Sequence, residues 1–362
     1  MIYDIEKQNI RRNKIRRIIS HPYFGFFALG IIMLIVQLLN FAGLVGISTV
    51  RSFGQTMIYI IVGLGFSILL GYSGLASLGT AGFVGLGTYV VGYFAGNLGL
   101  PFTLTIVIAI MGAILVGAIV GFISLRIEGM YLAIITLGLS EILVEVFKNA
   151  TEITNGTNGK QYDFKLFSIG MDRGVAFIMI IAYMIVTMIL TLNIMKSPTG
   201  RAMSAMKNSE SAAQAMGIGL LKYRLLAFII STVYAVFAGT LYMSYQEFSI
   251  PSSWGLALSL NILAAVIVGG ARSIFGVVLG TFMIFGLDMV VLKKIPLFIN
   301  NPALSMVFNG VLIIVVVMFY PGGLARLFSL IKFKLSQSFK KIKLKRREYR
   351  YGKDDEDGFS QS

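Results

Sequence analysis

Long apolar runs separated by short polar breaks make up most of the 362-residue chain. A helix needs about 20 apolar residues to cross the hydrocarbon core of a bilayer, and backbone polar groups cannot stay unpaired in lipid. Ten runs meet or approach this length; they lie at residues 23–46, 54–71, 75–95, 101–123, 128–147, 174–195, 225–245, 257–271, 273–293 and 303–320. The pattern predicts an all-α polytopic membrane protein with about ten transmembrane or re-entrant helices.

Two of the runs are candidates for broken or re-entrant helices. The run at 75–95 is rich in glycine, and the run at 257–271 is short. Glycine inside a helix is destabilising because glycine loses more conformational freedom on folding than any other residue. We therefore leave open whether either run crosses the membrane completely.

The composition agrees with a membrane protein and excludes several kinds of site. Hydrophobic residues make up 56% of the chain and charged residues only 13%, whereas a soluble domain is about a quarter charged. The absence of cysteine excludes disulfides and thiolate metal sites. A single histidine does not make a transition-metal site. We expect the chain itself to bind no metal and no cofactor.

The net charge of +15 comes largely from basic clusters at 7–17 and 340–350. Basic clusters beside membrane spans mark the cytoplasmic side and attract anionic lipid head groups, so we do not expect a nucleic-acid partner. Ten crossings would leave both termini on that side. We predict a basic cytoplasmic N-terminus at 1–22, a transmembrane domain at 23–325, and a basic then acidic cytoplasmic tail at 326–362.

This orientation places the loop at 148–173 outside and the loop at 197–224 in the cytoplasm. The outer loop contains TNGTNGK, which resembles a phosphate-binding loop only superficially. A Walker A motif needs glycine where Thr154 stands, and Ser or Thr where Gln161 follows Lys160. The chain therefore has no ATPase motif here and is not expected to be an enzyme.

Few charged residues fall inside the predicted spans, and such residues are functional candidates by default. Glu141 and Glu145 are one turn apart near the predicted outer end of the fifth run, within reach of Lys148, and Asp288 lies in the ninth run. We interpret the glutamates as interfacial and structural. An ion-coupled carrier would need a charge relay at mid-depth, which the sequence does not indicate.

The cytoplasmic loop 197–224 has the pattern of an amphipathic helix. Small or apolar residues recur at helical spacing after Pro198, and Gly217 is suited to end the helix; the stripe consists of Ala202, Ala205, Met206, Ala212, Ala213 and Met216. Without bulky residues to hold a bilayer, this stripe favours docking to a soluble protein. A simple connector between spans is the alternative.

Glycine is also frequent within the predicted spans. Gly276 and Gly280 form a GxxxG pair, a spacing that allows two helices to approach closely in lipid. We interpret most of the 40 glycines as packing residues of this kind.

Four segments resemble the permeases of branched-chain amino acid ABC importers, and most of all their LivM-type subunit. They occur in the same order as in that family and span most of the membrane part; they are GYSGLASLGTAGFVGLGTYV (71–90), LRIEGMYLAIITLGLSEI (125–142), GRAMSAMKNSESAAQAMGI (200–218) and VGGARSIFGVVLG (268–280). The resemblance implies a subunit of a bacterial inner or plasma membrane importer that carries branched-chain or related hydrophobic amino acids.

The resemblance also implies the partners. They would be two cytoplasmic ATPase subunits that bind ATP, a second homologous permease subunit, an extracellular or periplasmic substrate-binding protein and membrane lipids. The segment at 200–218 resembles the loop that couples such permeases to the ATPases, and the coupling residues would be Gly200, Arg201, Ala205, Glu210, Ala213 and Gly217.

Residues that line the pathway are harder to predict. A zwitterionic amino acid needs hydrogen-bond donors, acceptors and an apolar wall, and a broken helix can supply free backbone groups near the membrane centre. This makes Ser77, Thr80, Tyr131 and Thr136 candidates. Glycines used for packing, and hydroxyls bonded within their own helices, are the alternative interpretation.

Three alternative functions stay open at this point. Permeases of the same superfamily for urea, nucleosides or simple sugars would share most of these motifs. An ion-coupled secondary carrier would need no ATPase partner, and a membrane-embedded enzyme would need a catalytic set of residues that the sequence does not indicate.

Overall fold

A computed structural model describes residues 22–124, 130–162, 165–166, 169–170, 173–292, 295–319 and 322–327. Nearly all of these residues are helical, as the pattern of apolar runs predicts. Most of the predicted N-terminal region 1–22 and tail 326–362 lies outside the described residues, so those boundaries stay predictions.

The described part of the chain forms α-helices joined by short turns. In chain order they are α1 (Pro22–Phe41), α2 (Ile47–Ser67), α3 (Thr80–Val91), α4 (Phe102–Ser124), α5 (Met130–Asn149), α6 (Thr151–Thr154), α7 (Arg173–Lys196), α8 (Pro198–Asn208), α9 (Glu210–Ala215), α10 (Leu220–Gln246), α11 (Leu256–Gly269), α12 (Ile274–Thr281), α13 (Leu287–Val290), α14 (Pro296–Asn300) and α15 (Pro302–Phe319). Three π-helical turns extend them: Ile68–Ser73 after α2, Gly92–Asn97 after α3, and Phe282–Gly286 between α12 and α13.

Among the described residues, six helical segments are long and apolar enough to cross a membrane. They are Tyr23–Phe41, Ile47–Ser73, Phe102–Ser124, Gly174–Lys196, Leu220–Gln246 and Pro251–Gly269. A helix lies in each of the ten predicted runs, but the number of complete crossings stays a prediction. The glycine-rich run at 75–95 is helical only from Thr80, because Gly74 ends the helical turn before it and residues 75–79 are not helical.

The centre of the fold is the packing of α10 against α3. A Cβ atom built on Gly87 would lie 2.0 Å from the carbonyl oxygen of Val236, and one built on Gly239 would lie 2.0 Å from that of Val84. The Thr88 hydroxyl also donates to the carbonyl oxygen of Gly239, at 3.2 Å. Reciprocal glycines therefore bring the two backbones into direct contact.

The GxxxG pair makes a similar contact between α12 and α11. A Cβ atom on Gly276 would lie 2.3 Å from the carbonyl oxygen of Gly269, and one on Gly280 would lie 2.0 Å from that of Ala265. The prediction that these glycines allow close helix approach is confirmed. In lipid the hydrophobic effect does not drive helices together, so close packing of this kind stabilises the association of α11 with α12.

The outer helices expose apolar side chains over most of their surface. Only 17% of the α1 span and 22% of the α4 span is buried, against 83% of Ile47–Ser73. Exposed residues of α4 include Val107, Met111 and Leu115. A water-soluble monomer rarely exposes apolar patches of this size, whereas a lipid-facing surface requires them.

The predicted outer loop is folded where it is described. Strand β1 (Lys160–Gln161) pairs antiparallel with β4 (Phe248–Ser249), and a second pair joins β2 (Lys165–Leu166) to β3 (Ile169–Gly170). Tyr162 is buried, and its hydroxyl donates to the carbonyl oxygen of Ile153. Burial raises the pKa of Tyr162 to about 12.

The charged residues of α5 lie at the exposed surface of the fold. Lys148 Nζ lies 2.6 Å from Glu145 Oε1, and both side chains are at least a third exposed, as expected for an interfacial pair. Glu141 is also exposed, and its Oε1 would lie 3.9 Å from a Cβ atom built on Gly255, just before α11. The interfacial role of the two glutamates stays a prediction.

The glycine contact at the centre of the fold can be tested by substitution. Gly239→Ala places a methyl group where the backbone of α3 lies, and overpacking of this kind costs roughly 1–3 kcal/mol. We expect a lower unfolding temperature in detergent. The control is Gly112→Ala in α4, where no atom lies within 4 Å of the new methyl group. Equal unfolding temperatures for the two variants would contradict this account.

Candidate functional site

The loop 197–224 contains two short helices rather than the single predicted helix. Ser197 caps α8, its Oγ accepting from Gly200 N at 3.2 Å, with Pro198 in the first turn. Ser209 then adopts an extended conformation and caps α9, its Oγ accepting from Ala212 N at 3.3 Å. The prediction was wrong because it treated Ser209 as a helical residue, whereas serine favours the capping position.

The break at Ser209 also divides the predicted apolar stripe. Ala202, Met206 and Ala213 are buried against the rest of the chain, as is Met203, which lay outside the predicted stripe. The other members of the stripe are exposed: Ala205, Ala212 and Met216, the last at 83%. The loop is therefore anchored by one face and leaves small side chains and a methionine free on another.

Two predicted coupling residues hold the loop to the end of α7. A Cβ atom on Gly200 would lie 2.4 Å from the carbonyl oxygen of Ile194, so only glycine fits there without displacement. Arg201 is exposed, and its Nη1 donates to the carbonyl oxygen of Lys196 at 2.9 Å. The loop thus leaves the membrane helix in a fixed direction.

The other end of the loop is fixed by an ion pair and a glycine turn. Glu210 Oε1 lies 2.5 Å from an Nη atom of Arg224, whose side chain is largely buried at the start of α10. Gly217 has a φ of +78°, and Ile218 N donates to the carbonyl oxygen of Ala213 at 3.0 Å. This is the glycine-ended helix turn that the sequence predicts.

Lys207 connects the loop to the C-terminal end of α2. Its Nζ donates to the carbonyl oxygens of Leu70 and Gly71, at 2.8 and 2.9 Å. Arg272, in the turn between α11 and α12, donates from Nε to the same Gly71 oxygen at 3.0 Å. Burial and the nearby Arg272 charge lower the pKa of Lys207. Sequence reasoning missed these contacts, because Lys207 and Arg272 stood out only as basic residues in cytoplasmic segments.

Three of the four candidate pathway residues meet at the break before α3. Ser77, Thr80 and Thr136 are all buried. The Thr136 hydroxyl accepts from Leu78 N at 3.0 Å, and Ser77 Oγ accepts from Gly79 N at 3.3 Å. Two backbone N–H groups at this break are therefore already hydrogen-bonded, whereas the broken-helix argument expected free groups.

Ser77 and Thr80 also line a narrow crevice against α10. Its other polar residues are Ser231 and Thr232, which the sequence gave no reason to single out, and Phe83 and Phe228 form part of its apolar wall. The crevice is too narrow in this conformation to hold a water molecule. Tyr131 does not join it: its side chain is 66% exposed on another surface.

Comparison with known proteins decides the family. A family model described as "Branched-chain amino acid transport system / permease component" matches residues 48–317, well over half of the chain. The chain belongs to this family. Together with the six apolar helices long enough to span a bilayer, this makes it a membrane protein.

Individual relatives agree with the permease family. The chain is 33% identical over 320 residues to the high-affinity branched-chain amino acid transport system permease protein LivM of Escherichia coli (strain K12), which covers 81% of this chain and 74% of the relative. It is 28% identical over 277 residues to the autoinducer 2 import system permease protein LsrC of Enterobacter sp. (strain 638), covering 72% of this chain and 77% of the relative. No solved structure matches the chain.

The hydrogen bond between Thr136 and the break before α3 gives a second prediction. Thr136→Val keeps the shape but leaves Leu78 N without its acceptor, and an unsatisfied buried donor costs roughly 1–3 kcal/mol. We expect a lower unfolding temperature and faster amide hydrogen exchange around Leu78. Thr136→Ser keeps the hydroxyl and is the control. If both variants behaved alike, the hydroxyl would not be what stabilises this break.

Proposed function

We propose that this permease forms, with a second permease subunit, the path by which branched-chain amino acids enter the cell, and that loop 197–224 couples this path to ATPase subunits. The chain is a permease subunit of the branched-chain amino acid ABC transporter family. The coupling role rests mainly on one observation: the loop is anchored at both ends and along one face, and its other face is exposed.

This arrangement suits the transmission of force from a soluble partner. A flexible loop would bend when the partner moved and would transmit little of that movement. Helix α8 is instead packed against the membrane helices through Met203 and Met206. The exposed residues Arg201, Ala205, Ala212 and Met216 would then meet the ATPase. Small residues permit close approach, and methionine adapts its shape to a groove.

The remaining partners follow from the same proposal. Two ATPase subunits would bind ATP in the cytoplasm, and a substrate-binding protein would deliver the amino acid from outside. The chain itself would need no cofactor. Both termini would lie in the cytoplasm, which places the exposed face of the loop on the same side as the ATPases.

The crevice between the break before α3 and α10 is our candidate for part of the pathway. Its four hydroxyls, on Ser77, Thr80, Ser231 and Thr232, can each donate or accept a hydrogen bond, and Phe83 and Phe228 provide an apolar wall. This combination suits a zwitterion with an aliphatic side chain. Transport would require the crevice to widen.

Uptake measurements on the assembled importer test this proposal. We expect uptake of radiolabelled leucine, isoleucine and valine into proteoliposomes to require ATP, the ATPase subunits and the binding protein. Uptake should persist when an ionophore removes ion gradients. Uptake that follows an ion gradient without ATP would refute the proposal, and uptake of a sugar-like solute alone would support a sister permease instead.

Gly217 provides a specific test of coupling. No atom lies within 4 Å of a Cβ at this position, so Gly217→Val is opposed only by the positive φ, which costs roughly 1–2 kcal/mol in a non-glycine residue. We expect normal insertion into the membrane but little leucine uptake.

Gly219→Val is the matched control, because Gly219 has a φ of −73° and is also in an open position. Gly217→Asn should be intermediate, since asparagine tolerates a positive φ better than valine does. Normal leucine uptake by Gly217→Val would show that the turn does not matter for coupling.

A further inference from the structure

The cytoplasmic end of α2 has an uncommon construction. The helix continues into a π-helical turn, Ile68–Ser73, and ends at Gly74, which has a φ of +78°. The last carbonyl groups of a helix have no partner within it and carry the negative end of the helix dipole. Here the carbonyl oxygens of Leu70 and Gly71 accept from cationic side chains of two other elements.

We call this group the clasp: Lys207 and Asn208 of α8, Arg272 of the turn between α11 and α12, and the carbonyl groups of Leu70 and Gly71. Lys207 contacts both carbonyl oxygens, and Arg272 contacts that of Gly71. An Nη atom of Arg272 also donates to Asn208 Oδ1, at 3.2 Å. Three elements that are far apart in the sequence are thus joined at one point.

The backbone is tightly packed on one side of the clasp. A Cβ atom on Gly71 would lie only 2.0 Å from the carbonyl oxygen of Ala271. The Tyr72 hydroxyl also donates to the carbonyl oxygen of Arg272, at 3.3 Å. The end of α2 therefore cannot move toward the turn between α11 and α12 without moving it.

The other side of the clasp leads to the candidate pathway. The stem of Lys207 lies on Gly74, where its Cγ would be 3.2 Å from an added Cβ. Gly74 begins the non-helical segment that carries Ser77 and ends at Thr80. A displacement of α8 would therefore be applied directly to the residue from which the crevice segment starts.

The clasp also brings two cations to one point. Cations near a helix C-terminus are stabilising, and Lys207 and Arg272 both donate to the carbonyl oxygen of Gly71. The end of α2 is therefore held by both α8 and the turn between α11 and α12.

We propose that Lys207 is the positioning residue through which movement of the coupling loop reaches the candidate pathway, with Arg272 carrying the same movement to α11 and α12. This inference rests on the proposed function, because it assumes that ATPase subunits move the loop. It adds the specific route: from α8 through the carbonyl groups of Leu70 and Gly71 to Gly74 and the segment beyond it.

The absence of cysteine from the chain permits a chemical test on the assembled importer. Lys207→Cys removes the ammonium group; aminoethyl methanethiosulfonate then attaches a primary ammonium through a disulfide. The trimethylammonium analogue attaches the same charge without N–H donors. Leucine uptake and ATP hydrolysis are measured in proteoliposomes before and after each reagent, with the treated wild-type importer as the baseline.

We expect Lys207→Cys to lower the number of leucine molecules taken up per ATP hydrolysed by about tenfold, within the usual range of coupling between sites. The aminoethyl reagent should restore most of this ratio, and the trimethylammonium reagent should not. An unchanged ratio in the unmodified variant, or equal recovery with both reagents, would overturn the proposal. Lys196→Cys, at an exposed lysine that ends α7 and lies outside loop 197–224, is the matched control.

Arg272→Gln tests the same proposal if the cysteine variant does not assemble. It removes the guanidinium contact with Gly71 and should also lower the uptake per ATP, while a normal ratio would count against the clasp. Failure of the proposed function itself is distinguishable, because the wild-type importer would then show no ATP-dependent leucine uptake at all.

Discussion

Backbone N–H and C=O groups that are buried away from water need hydrogen-bond partners from the protein, and this requirement governs the region between α2 and α3. A continuous helix meets it without help. The interruption after Gly74 does not, and the structure supplies partners from elsewhere: Thr136 of α5 for Leu78 N and Ser259 of α11 for Ala81 N. At the end of α2, Lys207 and Arg272 donate to the carbonyl groups. The break is thus held by side chains from several elements, and each of those elements can influence it.

The glycine contacts explain why the surrounding helices lie close enough to form hydrogen bonds at this break. Gly87 and Gly239 bring α3 and α10 together until their backbones touch, and Gly280 does the same for α12 and α11. Helices at this separation leave little room for side chains between them. The hydroxyls of Ser77 and Thr80 therefore lie directly against α10, where they meet Ser231 and Thr232.

Much of this architecture could be predicted from the sequence, because apolar runs and small-residue spacing depend on local physics. The helices, the interruption near residue 75, the GxxxG contact and the turn at Gly217 all follow from such patterns. The break at Ser209 does not, since a serine with helical neighbours fits both a helix interior and a cap. The contacts of Lys207 and Arg272 depend on residues more than 60 positions apart, and nothing local distinguishes them from the other cations of the chain. Tyr131 and Thr136 both lie on α5, but five positions along a helix point their side chains in different directions.

The two helices of loop 197–224 differ in how they are attached, and this has a mechanical consequence. Helix α8 buries two methionines and shares hydrogen bonds with two other elements, so it would move with the membrane domain as one body. Helix α9 is held by Ala213 and by the pair between Glu210 and Arg224, which is the smaller set of contacts. A load applied across both would be taken up first by bending at Ser209, and only the remainder would displace α8. The stiffness of this junction would thus set how much of a partner's movement reaches the membrane helices.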